Sequence, residues 1–170
     1  MPDLIVAGGG VLGLATAYAA ARRGASVVVL EKRAFGHDET ASGGTSRQFR
    51  IQYDDPALAR LVLASRPLWS RLQADADEEL LTRTGCLWFG DLRDGRIEVT
   101  LGVLTALGIP FDRLTAAEVQ SRYGFAEIPP GWSGFVQPHG AAVNVKATLR
   151  AFHTVIEILH AVQVMQIPRQ

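Results

Sequence analysis

The apolar residues fall into short blocks whose period changes along the chain. Leu4-Ile5-Val6-Ala7 is a continuous apolar run closed by Gly8-Gly9-Gly10, and it reads as a buried strand. From Gly13 to Arg23 the period becomes helical, with Leu14, Ala17, Tyr18 and Ala21 on one face and Gly24 as a stop. Val27-Val28-Val29-Leu30 is a second unbroken apolar run. Continuous rather than alternating hydrophobicity predicts cover on both faces, as in a parallel sheet. Residues 34–50 are polar and Gly-rich and carry neither period.

Asp55-Pro56 then predicts an N-cap and a first helical turn. The helix continues through Leu58, Leu61, Val62, Trp69 and Leu72, with a kink at Pro67. Cys86-Leu87-Trp88-Phe89 reads as a strand, and residues 94–107 as a helix with Leu101 and Leu104 inward. Thr115-Ala116-Ala117-Glu118 is a capping box. Pro129-Pro130-Gly131 reads as a turn, residues 134–137 as a strand and 145–160 as a helix. The apolar, β-branched run 156–164 could also be a strand.

Composition narrows the function classes. Lys plus Arg and Asp plus Glu number 17 each, which leaves no electrostatic footprint for nucleic acid or an anionic membrane. No apolar run reaches the roughly 18 residues that span a bilayer. Met1-Pro2-Asp3 lacks the basic region of a signal peptide, so the expected compartment is the cytoplasm. Cys86 is the sole cysteine, which excludes an intrachain disulfide and reads as a small buried apolar group. His37, His139, His153 and His160 have no metal-ligand spacing, so no metal site is expected and structural or surface roles are assigned. Trp69, Trp88 and Trp132 read as packing residues. The acidic run Asp75, Asp77, Glu78 and Glu79 reads as a solvated helix end.

Gly8-Gly9-Gly10-Val11-Leu12-Gly13 matches G-x-G-x-x-G between a predicted strand and a predicted helix, the context that gives the motif meaning. Gly8 permits the tight turn, Gly10 lets a pyrophosphate approach the backbone, and Gly13 lets helix and strand pack closely. The helix N-terminus offers N–H groups and partial positive charge to phosphate. Glu31, 21 residues after Gly10, ends the second strand and can accept both ribose hydroxyls of an adenosine. Its charge disfavours a 2′-phosphate. FAD and NAD share this fingerprint, so it does not choose between them.

The segment from Val6 to Lys32 resembles the opening of the FAD-dependent amine and amino-acid oxidases, the D-amino-acid oxidase superfamily. Further pieces follow its sarcosine-oxidase branch. They are Ala41-Ser42-Gly43-Gly44-Thr45-Ser46-Arg47-Gln48-Phe49-Arg50, the helix through Leu68-Trp69, and Thr84-Gly85-Cys86-Leu87-Trp88-Phe89-Gly90. Gly108-Ile109-Pro110-Phe111 and Pro138-His139-Gly140-Ala141-Ala142-Val143-Asn144 complete the series. The resemblance covers residues 3 to about 152.

It implies an α/β fold in which a Rossmann-like βαβ unit binds FAD and part of an α+β substrate domain is appended. The implied boundaries are 1–83 for the first part of the FAD domain, 84–137 for the substrate-domain segment, and 138–170 for the return with an atypical tail. The implied cofactor-binding set is Gly8, Gly10, Val11, Leu12, Gly13, Glu31, Lys32, Ser42, Thr45 and Ser46. Arg47 would lie near the isoalloxazine, and Arg50 would pair with a substrate carboxylate. Some sarcosine oxidases have a His in the loop where this chain has Ser42-Gly43, which points to a different substrate or flavin attachment.

Family chains are more than twice as long, so this one looks truncated, and 156–164 could be a strand in altered form or a frame-shifted tail. The expected activity is FAD-dependent oxidation of the C–N bond of an amine or amino acid. A non-catalytic flavin- or nucleotide-binding remnant and an NAD-dependent oxidoreductase are the alternatives. Partners would be a small amine or amino-acid substrate and, through an unpaired sheet edge, the chain itself.

Overall fold

The computed structural model describes residues 1–34, 36–37, 41–158 and 162–166, with the backbone alone for 158 and 162–166. Along the chain run β1 (Leu4–Ala7), α1 (Val11–Ala21), β2 (Val27–Glu31), β3 (Ser46–Phe49), α2 (Pro56–Ala76), β4 (Leu81–Arg83) and β5 (Cys86–Asp91). They are followed by α3 (Arg96–Ala106), β6 (Asp112–Thr115), α4 (Ala116–Tyr123), β7 (Trp132–Gln137), β8 (Ala141–Asn144), α5 (Val145–Ile158) and β9 (Val162–Gln166). The chain forms two compact units. The first comprises 1–47, 68–81 and 143–170, and the second 48–67 and 82–142.

In the first unit β2 lies between β1 and β9, and both pairings are parallel. That is the predicted strand–helix–strand start, with α1 as the crossover. The predicted inward face of α1 is the observed one: Leu14, Ala17, Tyr18 and Ala21 are all buried. The expected cover on both faces is corrected: on β1 only Val6 is buried, and on β2 Val27, Val29 and Glu31 are buried while Val28 and Leu30 are half-buried, so each strand packs mainly one face. The core joins α1 and the strands to Leu72, Leu80 and the α5 residues Ala147, Ala151, Phe152, Val155 and Ile156. Tyr18 meets Phe152 edge-on at 5.8 Å between ring centroids.

The second unit holds an antiparallel sheet in the order β5-β7-β6, from Cys86↔Gln137 to Asp91↔Trp132 on one side. Ile97, Leu101 and Leu104 of α3, Leu114 of β6, Val119 of α4 and Phe135 of β7 are buried. The capping box at Thr115 forms in full. Asp55 Oδ1 accepts the Ala57 N–H at 2.7 Å, the expected start of α2, and α2 continues past Pro67.

Four further expectations are corrected. Residues 46–49 form a strand inside a stretch read as irregular, because three of its four side chains are exposed and leave no apolar alternation to read. Similarly, β4 and β6 are mostly exposed strands that escaped the pattern. The run 156–164 is not one strand: Ala147, Ala151 and Val155 continue a helical stripe, so α5 reaches Ile158 and the strand starts at Val162. The acidic run is more than a solvated helix end. Asp75 Oδ2 accepts from the Tyr18 hydroxyl at 2.7 Å and from Arg22 at 2.8 Å, and Glu78 pairs with Arg150 at 2.5 Å. His160 lies outside the described residues.

Candidate cofactor site

The parallel register runs from Leu4↔Val27 to Ala7↔Leu30, which sets the glycine turn after β1 level with the end of β2. Gly8 takes φ +111°, a conformation side chains rarely adopt, and its N–H donates to the Leu30 carbonyl at 2.7 Å. The Gly9 N–H then donates to Glu31 Oε2 at 2.7 Å, and the Arg33 N–H to Oε1 at 3.0 Å. Glu31 is only 8 % exposed. Burial opposes its charge, but the N–H groups of Gly9, Arg33 and Lys32, aided by His37, outweigh it and hold the carboxyl below its ordinary range. Three N–H donors on about four lone-pair sites leave the carboxylate capacity for one further hydroxyl.

Gly13 closes the turn. A Cβ there would stand 1.9 Å from the Gly8 carbonyl oxygen and 3.2 Å from Val6 Cγ1, so no larger residue fits between α1 and β1. At Gly10 a Cβ would meet Ser42 Oγ at 3.1 Å, and Ser42 Oγ itself accepts the Val11 N–H at 3.0 Å. No acidic residue lies in the first turn of α1, and no side chain caps from Gly10. This positive helix end, where Ser42 takes the Val11 N–H alone among the side-chain contacts described and Leu12 is 82 % exposed, is suited to a diphosphate. The residues present therefore fit an adenine dinucleotide.

The Arg47 guanidinium donates to the carbonyls of Ala41 (2.9 Å), Gly43 (2.7 Å) and Ser46 (2.8 Å), which clamps the glycine loop. The Thr45 carbonyl accepts the Val145 N–H at 3.2 Å, tying that loop to the start of α5. Ser46 and Lys32 are exposed. A cavity of about 420 Å³ is lined by Leu14, Ser42, Gly44, Lys146, Leu149 and Arg150, within the size range of ligand pockets. A smaller cavity beside it is lined by Gly9, Gly10, Glu31, Ser42 and His37. The first unit thus contains every predicted cofactor residue and Arg47, and of these Gly10, Glu31 and Ser42 line the smaller cavity.

Arg50 belongs to the second unit, where its guanidinium sits 4.7 Å from the Tyr53 ring centroid. Near it, Cys86 Sγ accepts from Gln48 Nε2 and the Cys86 carbonyl from Gln52 Nε2, each at 2.7 Å. His37 is the residue that sequence reasoning set aside. Its spacing to other metal-ligand residues carries no signal, whereas its position six residues after Glu31 in the sequence does. Among the described residues no group of three or more His, Cys, Asp or Glu could hold a metal ion, and no helix is long and apolar enough to cross a membrane.

Comparison with known proteins adds an independent line. Human peroxisomal sarcosine oxidase is 26 % identical over 157 residues, which are 92 % of this chain and 40 % of that protein. Monomeric sarcosine oxidase of Streptomyces avermitilis is 33 % identical over 122 residues, 71 % of this chain and 32 % of its own length. Among solved structures, NikD, described as an unusual amino acid oxidase essential for nikkomycin biosynthesis, matches in its open form. Its TM-score is 0.86 at 34 % identity, over 97 % of this chain and 43 % of NikD. The chain thus spans between about a third and about two fifths of the length of these relatives. A family model described as DAO, FAD dependent oxidoreductase, matches residues 3–165, and by that match this chain belongs to the FAD-dependent oxidoreductases of the DAO family.

Proposed function

We propose that this chain binds FAD through its first unit and forms the flavin-binding portion of an oxidoreductase acting on the C–N bond of an amine or amino acid. The observation that carries the reading is the Gly9–Glu31 hydrogen bond at a helix N-terminus free of acidic residues, in a chain of an FAD-dependent family. That family also favours FAD over the NAD alternative. When bound, the flavin supplies the acceptor for the two electrons of C–N oxidation.

Glu31 holds the adenosine ribose, while the N-terminal N–H groups of α1, with Val11 and Leu12 in its first turn, face the pyrophosphate. Gly8, Gly10 and Gly13 keep the approach open. Lys32 contributes its backbone N–H to Glu31, and Ser42, Thr45 and Ser46 shape the loop beside the cofactor. Arg47 holds that loop and places a cation where an anionic reduced flavin is favoured. Arg50, a planar fork, pairs with a substrate carboxylate. The second unit is part of the substrate domain.

A second reading, binding without turnover by residues 1–170 alone, is favoured by the chain's share of these relatives, between about a third and about two fifths. A closed, dry site needs walls on both sides of the flavin. The working compartment is the cytoplasm, to be tested by fractionation against the peroxisome, where the human relative's name puts that protein. The functional experiment titrates FAD and NAD against residues 1–170 and assays peroxide with N-methyl and primary amino acids. FAD should bind more tightly than NAD, without turnover. Gly10→Val should abolish binding, and Glu31→Ala should weaken it by about 1.5–3 kcal/mol. Tighter NAD binding, or indifference to Gly10→Val, refutes the cofactor assignment. In a catalytically competent form, Arg50→Lys should raise KM for a carboxylate substrate, and an unchanged KM removes Arg50 from the site.

A further inference from the structure

We infer that His37 is a further cofactor-contacting residue, its Nδ1 joining Glu31 in holding the adenosine ribose hydroxyls. The inference rests on the FAD reading above. His37 Nδ1 is buried and has no hydrogen-bond partner among the described residues. Buried polar atoms are nearly always paired, so an orphan next to a binding turn marks where a ligand atom belongs.

The surroundings identify that atom. His37 lines a small cavity together with Gly9, Gly10, Glu31 and Ser42, and its free space, about 10 Å³, admits a group the size of a hydroxyl. Glu31 is ionised and can only accept. A ribose hydroxyl that donates to Glu31 still offers lone pairs, and its neighbour can donate. Either tautomer of His37 therefore finds a counterpart in the diol. A phosphate in the same place would meet the Glu31 charge.

Calorimetric titration with ADP and with 2′,3′-dideoxy-ADP separates this role from packing. His37→Leu should weaken ADP binding roughly fivefold, the loss of one neutral hydrogen bond. His37→Asn, whose amide stands near the Nδ1 position, should recover most of that loss. All three proteins should bind dideoxy-ADP equally. Unchanged ADP affinity in His37→Leu, or an equal loss with dideoxy-ADP, overturns the assignment of His37 and leaves the cofactor reading standing. A folded wild-type chain that binds no ADP overturns both. Thermal melts accompany each variant, and His37→Ala replaces His37→Leu if the latter does not fold.

Discussion

Cys86 is 5 % exposed and free of any disulfide. Burial pushes its thiol up from the ordinary 9.0, and the opposing influence of Gln52, Arg50 and Gln48 does not cancel that. Because the thiolate is the nucleophile, iodoacetamide at neutral pH should leave the native protein unmodified and alkylate it once denatured. Intact mass reads the difference, and rapid native labelling would contradict the burial argument. Glu31 shows the opposite case. Its folded carboxyl titrates below the ordinary 4.5, so its contribution to stability is present above about pH 4.5 and is lost as pH falls through the folded value. The melting-temperature gap between wild type and Glu31→Gln should hold at mildly acidic pH and narrow below about pH 4.5. A gap that narrows on raising the pH instead would mean the carboxyl is held neutral.

At the scale of elements, α1 and β1 are joined by the absence of one methyl group. Gly13→Ala puts a Cβ 1.9 Å from the Gly8 carbonyl, and backbone cannot yield as a flexible side chain can. The expected loss is at or above the roughly 1–3 kcal/mol of ordinary overpacking, measured by denaturant unfolding. A Gly13→Ala protein of wild-type stability would show that the turn is not packed this way. Thr115→Ala tests an element of the second unit: its hydroxyl accepts the Glu118 N–H at 3.2 Å, and truncation should cost about 1 kcal/mol. Helices α1 and α4 were legible because a buried stripe or a capping box is written in consecutive residues. Strands β3, β4 and β6 were not, because their side chains are mostly exposed and their existence depends on backbone partners far along the chain.

At the scale of the whole molecule, β1 has β2 on one side and no partner on the other among the described residues, and Ile5 on it is 60 % exposed. An open edge beside exposed apolar surface favours self-association. Sedimentation should show concentration-dependent oligomers that Ile5→Lys reduces, and a monomer at all concentrations would remove this surface from consideration. The local sequence determined the βαβ start, the glycine turn and the acid at the end of β2, because each is set by neighbours within one strand or turn. Tertiary structure decided the rest. The acidic run at the end of α2 became a set of anchors only because α1 brings Tyr18 and Arg22 to Asp75 and α5 brings Arg150 to Glu78. His37 became a binding candidate only because chain folding buries its Nδ1 with no partner among the described residues and sets His37 and Glu31 around one cavity. Burial and the satisfaction of polar atoms are properties of packed surroundings, and no period in the sequence encodes them.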